Sequence, residues 1–127
     1  MTGLSSAFRR IRLELAREPG HPSGNSAYGY DFLAPLDADG RLDSELWKKN
    51  RQACRVRRFR PGFDDDELGH LVRGRGNKWF FNYEEGDDDD EAGFRFEQEH
   101  FVVGEYVSIR EDDGEMHTFR VAAVDPL

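Results

Sequence analysis

Apolar and polar residues alternate along much of this chain with the two-residue period of a half-buried strand. In FRRIRLELAR, 8–17, Ile11, Leu13 and Leu15 alternate with Arg12 and Glu14. Phe8, Ile11 and Leu15 also fit a helical stripe, but the shorter period predicts a strand. YGYDFLA, 28–34, reads as a second strand and RVRRFR, 55–60, as an arginine-rich third. ELGHLVR, 67–73, fits either a strand or a short helix. KWFFNYE, 78–84, puts Trp79, Phe81 and Tyr83 on one face. Phe94 and Phe96 alternate with Arg95 and Glu97. Near the end, EYVSIRE and MHTFRVAAV flank a turn at Asp112-Asp113-Gly114. That spacing predicts a hairpin with Val107 and Ile109 facing Phe119, Val121 and Ala123.

One helix is predicted, over 44–54. Asp43 is a good N-cap, Glu45 lies in the first turn, and Leu42 and Trp47 occupy the staple positions. Leu46, Trp47, Ala53 and Cys54 would share its apolar face. EPGHPSGNSA, 18–27, and EGDDDDEAG, 85–93, read as flexible loops. GRGN, 74–77, and Asp39-Gly40 read as turns. The expected fold is mainly β: a small barrel or strongly bent antiparallel sheet of six to eight strands, carrying one short helix. No internal repeat or boundary divides residues 1–127, so a single domain is expected.

Composition narrows the picture. At 127 residues the chain can bury one core, and a 13% aromatic content compensates for few aliphatics. One cysteine, Cys54, excludes an internal disulfide and points to a reducing, cytoplasmic home. Met1 to Ala16 carries three arginines and no apolar stretch of a secretory signal. No run reaches membrane-spanning length, so no membrane partner is expected. The net charge of −8 is unevenly spread. Residues 1–62 hold 12 basic and 7 acidic side chains, a net +5; residues 63–127 hold 6 and 19, a net −13. Such asymmetry marks either a ligand site on one half or two halves that attract each other within one fold.

YGYDFLAPLDADGRLD and VVGEYVSIREDDGEMHTFRVAAV resemble a family of small bacterial proteins of unknown function. The likeness runs over most of the chain and implies no activity. The last forty residues also resemble SH3-type barrels, through Gly104, Val107 and the Asp113-Gly114 turn. Barrels of that type serve many functions.

Candidate chemistry is sparse. DADGRLD begins like a calcium loop, but Arg41, Leu42 and Lys48 occupy three required places. A turn followed by a helix cap accounts for the segment. The run Asp87 to Glu91 could gather a cation weakly, and reads better as a solvated loop. His21, His70, His100 and His117 share no metal-ligand spacing with one another or with Cys54. Cys54 is expected to be buried, although Arg55, Arg57 and Arg58 would favour a thiolate if it were exposed. No phosphate-loop, dinucleotide or nucleophile-elbow motif occurs, so no cofactor is expected.

The stripe Arg55, Arg57, Arg58 and Arg60, with Phe59 inside it, is the best candidate surface. The expected function is non-catalytic: a small binding module whose groove of arginines and aromatics includes Arg55, Arg57, Arg58 and Trp79, with a protein as partner. One alternative is a small metal-dependent hydrolase using the acidic loop with His100 or His117. Another is RNA or single-stranded DNA binding through the arginine stripe. The acidic total opposes nucleic acid, and the arginines have an alternative in pairing with the acidic half.

Overall fold

Alternation of the kind described above builds seven strands in the computed structural model, which describes residues 6–17, 22–62, 66–73, 79–83, 100–111 and 114–126. They are β1 (Phe8–Leu15), β2 (Asn25–Pro35), β3 (Arg55–Phe59), β4 (Glu67–Arg73), β5 (Trp79–Tyr83), β6 (Tyr106–Arg110) and β7 (Met116–Pro126). One sheet contains them all, in the order β5-β4-β3-β2-β1-β7-β6, and every pairing is antiparallel. The fold is therefore mainly β, a curled half-barrel with one short helix.

The curl is visible in distances. Neighbouring strands lie about 4.8 Å apart, so β2 and β5 would be about 14 Å apart on a flat sheet. Yet the Tyr30 and Phe32 rings of β2 lie 5.1 and 5.2 Å from Phe81 of β5. Tyr30 also meets Phe119 of β7 at 5.2 Å, edge to face. Inward-facing aromatics therefore draw both wings of the sheet over its centre. Two register shifts in β1 help the bend, one on each side of the strand. Gly29 is required where β2 crosses β1 closely: a Cβ there would stand 1.9 Å from the Leu13 carbonyl oxygen.

The core is the concave face: Ile11, Leu13, Tyr30, Phe32, Val56, Leu71, Phe81, Val107, Ile109, Phe119 and Val121 are all buried. The helix α1 (Ser44–Lys49) closes part of it. Asp43 caps α1 as expected, accepting from the Glu45 and Leu46 amides. Trp47 drops inward, packs edge to face on Trp79 at 5.2 Å and donates to the Leu71 carbonyl at 2.8 Å.

Some boundaries differ from expectation. The helix ends at Lys49 and gives way to a single 3-10 turn, Arg51–Ala53, rather than running to 54. Asn50 breaks it with a φ of −137°. β2 begins at Asn25, inside the expected loop 18–27. Residues 67–73 are a strand, because β3 and β5 pair with both of its edges. The acidic run 85–93, the 74–77 turn and Phe94 to Glu97 lie outside the described residues. Among the described residues, no helix is long and apolar enough to cross a membrane.

The C-terminal hairpin pairs Val107 with Phe119 as expected, and both are fully buried. Phe119→Ala should lower stability by about 3–5 kcal/mol, because it removes a packed aromatic and leaves a cavity. Urea unfolding followed by tryptophan fluorescence measures this; a loss under about 1 kcal/mol would contradict the packing.

Candidate functional site

Strand alternation splits the arginine stripe between two faces. Successive residues of β3 point to opposite sides, so Val56 and Arg58 face the core while Arg55 and Arg57 face out. The sequence candidates Arg55, Arg57, Arg58 and Trp79 therefore do not form one surface. Arg58 is 2% exposed and Trp79 5%, the latter packed on Trp47. A linear reading groups them because it cannot see which face each occupies.

Inside, Arg58 donates from Nη2 to Glu111 at 3.0 Å and from Nη1 to Glu67 at 3.2 Å. Its guanidinium also sits 5.8 Å from the Tyr30 ring centre. Glu111 is buried as deeply as its partner. The Tyr28 hydroxyl donates to one of its carboxylate oxygens and the Tyr30 hydroxyl to the other. His117 Nε2 stands 3.6 Å from the first of these. Burial, followed by the bond to Glu111, pushes the Tyr28 hydroxyl well above its ordinary pKa. Nothing in the linear pattern marks Glu111, which follows β6 and breaks no alternation. Arg60 shares Glu67 with Arg58, at 3.1 Å.

Outside, strand pairing assembles a second set. Arg12, Asp31, Arg57 and Leu68 lie in one row across β1, β2, β3 and β4. Asp31 pairs with both Arg12 and Arg57, Arg12 also with Glu14 at 2.7 Å, and Arg57 also with Asp66 at 3.3 Å. The Glu14 bond leads the interactions that raise the Arg12 pKa above its ordinary value. Both guanidiniums cover the Phe59 ring, at 4.5 and 5.2 Å. Beside this row is a shallow hollow of about 230 Å³, lined by Arg10, Leu33, Arg55, Arg57 and Leu68 among others. Leu68 is 56% exposed. Among the described residues nothing pairs with Arg10 or Arg55.

The other candidates have local roles. Asp37 turns its carboxylate into its own loop, accepting from the Asp39 and Arg41 amides. Gly40, at a φ of +82°, completes that turn. His100 stands 2.9 Å from the Asp39 carbonyl through Nδ1, and Arg41 Nε donates to its Nε2 at 3.3 Å. That arrangement makes His100 a strut between the turn and Phe101. His117 belongs to the Glu111 cluster, so the two histidines have separate partners. Among the described residues, no three His, Cys, Asp or Glu side chains are gathered to hold a metal ion. Cys54 is fully buried, and desolvation pushes its thiol up to about 11.

Two outcomes test this assignment. Glu111→Ala should cost about 3–5 kcal/mol, because it deprives a buried guanidinium of a buried counter-charge 3.0 Å away. Arg58→Met combined with Glu111→Leu should recover much of that loss in a double-mutant cycle; a fully additive cycle would show that the pair is not coupled. Native Cys54 should resist a disulfide-exchange reagent at about pH 8, since almost no thiolate forms there, and react promptly in denaturant. Equal rates in both conditions would contradict its burial. Comparison with protein-family models, curated proteins and solved structures gave no match, so the site is interpreted from its own chemistry.

Proposed function

We propose that this chain is a non-catalytic binding module, and that the outer face of β1–β4 receives an acidic, apolar-bearing segment of a partner protein. The observation that carries the reading is the hollow beside Leu33 and Leu68, with Arg10 and Arg55 in its lining. Leu68 exposes more than half of its surface on a sheet where polar side chains would be expected to face water. Apolar floors bounded by cations suit ligands that combine carboxylates with aliphatic side chains. Arg12 and Arg57 are already paired with Glu14, Asp31 and Asp66, which fixes the wall of the hollow. Arg10 and Arg55 keep their charges for a partner.

Protein is favoured over nucleic acid on this face. Phosphate binding draws on many released counterions, and here two arginines are engaged by carboxylates. Phe59, the aromatic beside that row that could stack a base, is covered by those same two guanidiniums.

The test is a titration with a peptide of alternating leucine and glutamate, followed by amide resonances. Shifts should centre on Leu33, Arg55 and Leu68. Arg10→Glu combined with Arg55→Glu, both at exposed positions, should weaken binding by about tenfold or more without altering the melting temperature. Shifts that bypass this face, or binding indifferent to the double variant, would overturn the proposal. So would sub-micromolar, salt-sensitive binding of an oligonucleotide at about 0.15 M salt, which would transfer the face to nucleic acid.

A further inference from the structure

A second hollow, larger than the one beside Leu68, lies at the opposite end of β1. It has a volume of about 810 Å³ and is an open groove between the ends of β1 and β7 and the segment 23–26. Its lining includes Arg17, Ser23, Ser26, Tyr106, Thr118 and Arg120. That volume is in the range of small-molecule sites, but the lining is more polar than most such sites. A polar groove with cations selects a small, charged ligand.

Strand register explains how the cations come to be available. Arg120 of β7 lies directly opposite Tyr106 of β6 on one side and Glu14 of β1 on the other. Glu14 would be its natural counter-charge. Its carboxylate is instead turned to Arg12, which it meets at 2.7 Å. Among the described residues nothing pairs with Arg120, and the same holds for Arg17. Two guanidiniums thus share one groove with Glu14, whose carboxylate is held by Arg12, so among the described residues no acid is paired with either of them, in a protein whose net charge is −8. Tyr106 is 61% exposed and lies opposite Arg120 in the hairpin register. An exposed aromatic next to a guanidinium offers a stacking surface adjoining an anion site. Ser23, Ser26 and Thr118 bring hydroxyls to the same groove.

We infer that this groove binds a small phosphate monoester carrying a planar ring: the phosphate at Arg17 and Arg120, the ring on Tyr106. None of these residues belongs to the outer hollow, so this inference stands apart from the proposed protein interface.

Calorimetry on the full chain tests it, with adenosine monophosphate, adenosine and inorganic phosphate as separate probes. The monophosphate should bind saturably, more tightly than either fragment. Arg120→Ala and Arg17→Ala should each weaken it by about tenfold. Tyr106→Ala should weaken the monophosphate and leave inorganic phosphate unchanged. All three positions are on the surface, and an unaltered melting temperature would show that the variants fold. Absence of saturable binding by the monophosphate would overturn the inference. Binding unaffected by both arginine variants, or lost equally in Arg10→Glu/Arg55→Glu, would overturn it as well.

Discussion

The ion pair between Arg58 and Glu111 holds the two wings of this sheet in one curve. Arg58 lies on the third strand in sheet order and Glu111 just past the last, four strand spacings away, or about 19 Å if the sheet were flat. Their side chains meet at 3.0 Å with both groups nearly inaccessible to water. Two desolvated charges repay their burial only when geometry and hydrogen bonding are good. Here Tyr28 and Tyr30 each donate to Glu111, and Glu67 takes the other Arg58 donor. The carboxylate is thus satisfied at both oxygens. Aromatic packing supplies the bulk of the attraction between the wings, and this network specifies the register in which they close.

The same network accounts for the lopsided charge of the chain. The basic first half supplies Arg57, Arg58 and Arg60; the acidic second half supplies Asp66, Glu67 and Glu111. Charge asymmetry along the sequence becomes charge pairing across the fold. Because β3 alternates, one part of that pairing is buried and the other stays at the surface. The buried part is structural, whereas the surface part forms a wall around an apolar hollow.

Two features of the outer surface then carry the two proposals, for one physical reason. Carboxylates that could neutralise arginines are committed elsewhere: Asp31 to Arg12 and Arg57, Glu14 to Arg12. Arg10 and Arg55 are left beside half-buried Leu33 and exposed Leu68, while Arg17 and Arg120 are left beside an exposed tyrosine. Arg12 sits between the two regions and draws acid away from both.

Periodicity by itself determined most of the strands, the capped helix start and the C-terminal hairpin, because these depend on neighbours within a few residues, whereas 67–73, which fitted a strand or a short helix, became a strand by pairing with β3 and β5. Asp43 at the helix cap, and Val107 opposite Phe119, were legible for that reason. Burial of Cys54 was legible from its apolar surroundings. The tertiary structure alone decided how the arginines divide. RVRRFR reads as one basic stripe, yet the pleat sends Arg58 inward and Arg57 outward, and only the curl brings Glu111 within reach of Arg58. Trp79 was misplaced on the surface because its partner, Trp47, lies 32 positions earlier on the helix. The groove proposed to bind an anion was equally hidden. Arg17, Tyr106 and Arg120 are distant in sequence and meet because β7 pairs with β1 on one edge and β6 on the other. Local patterns follow from side chains a few residues apart; sites arise from strand order, which is a property of the whole sheet.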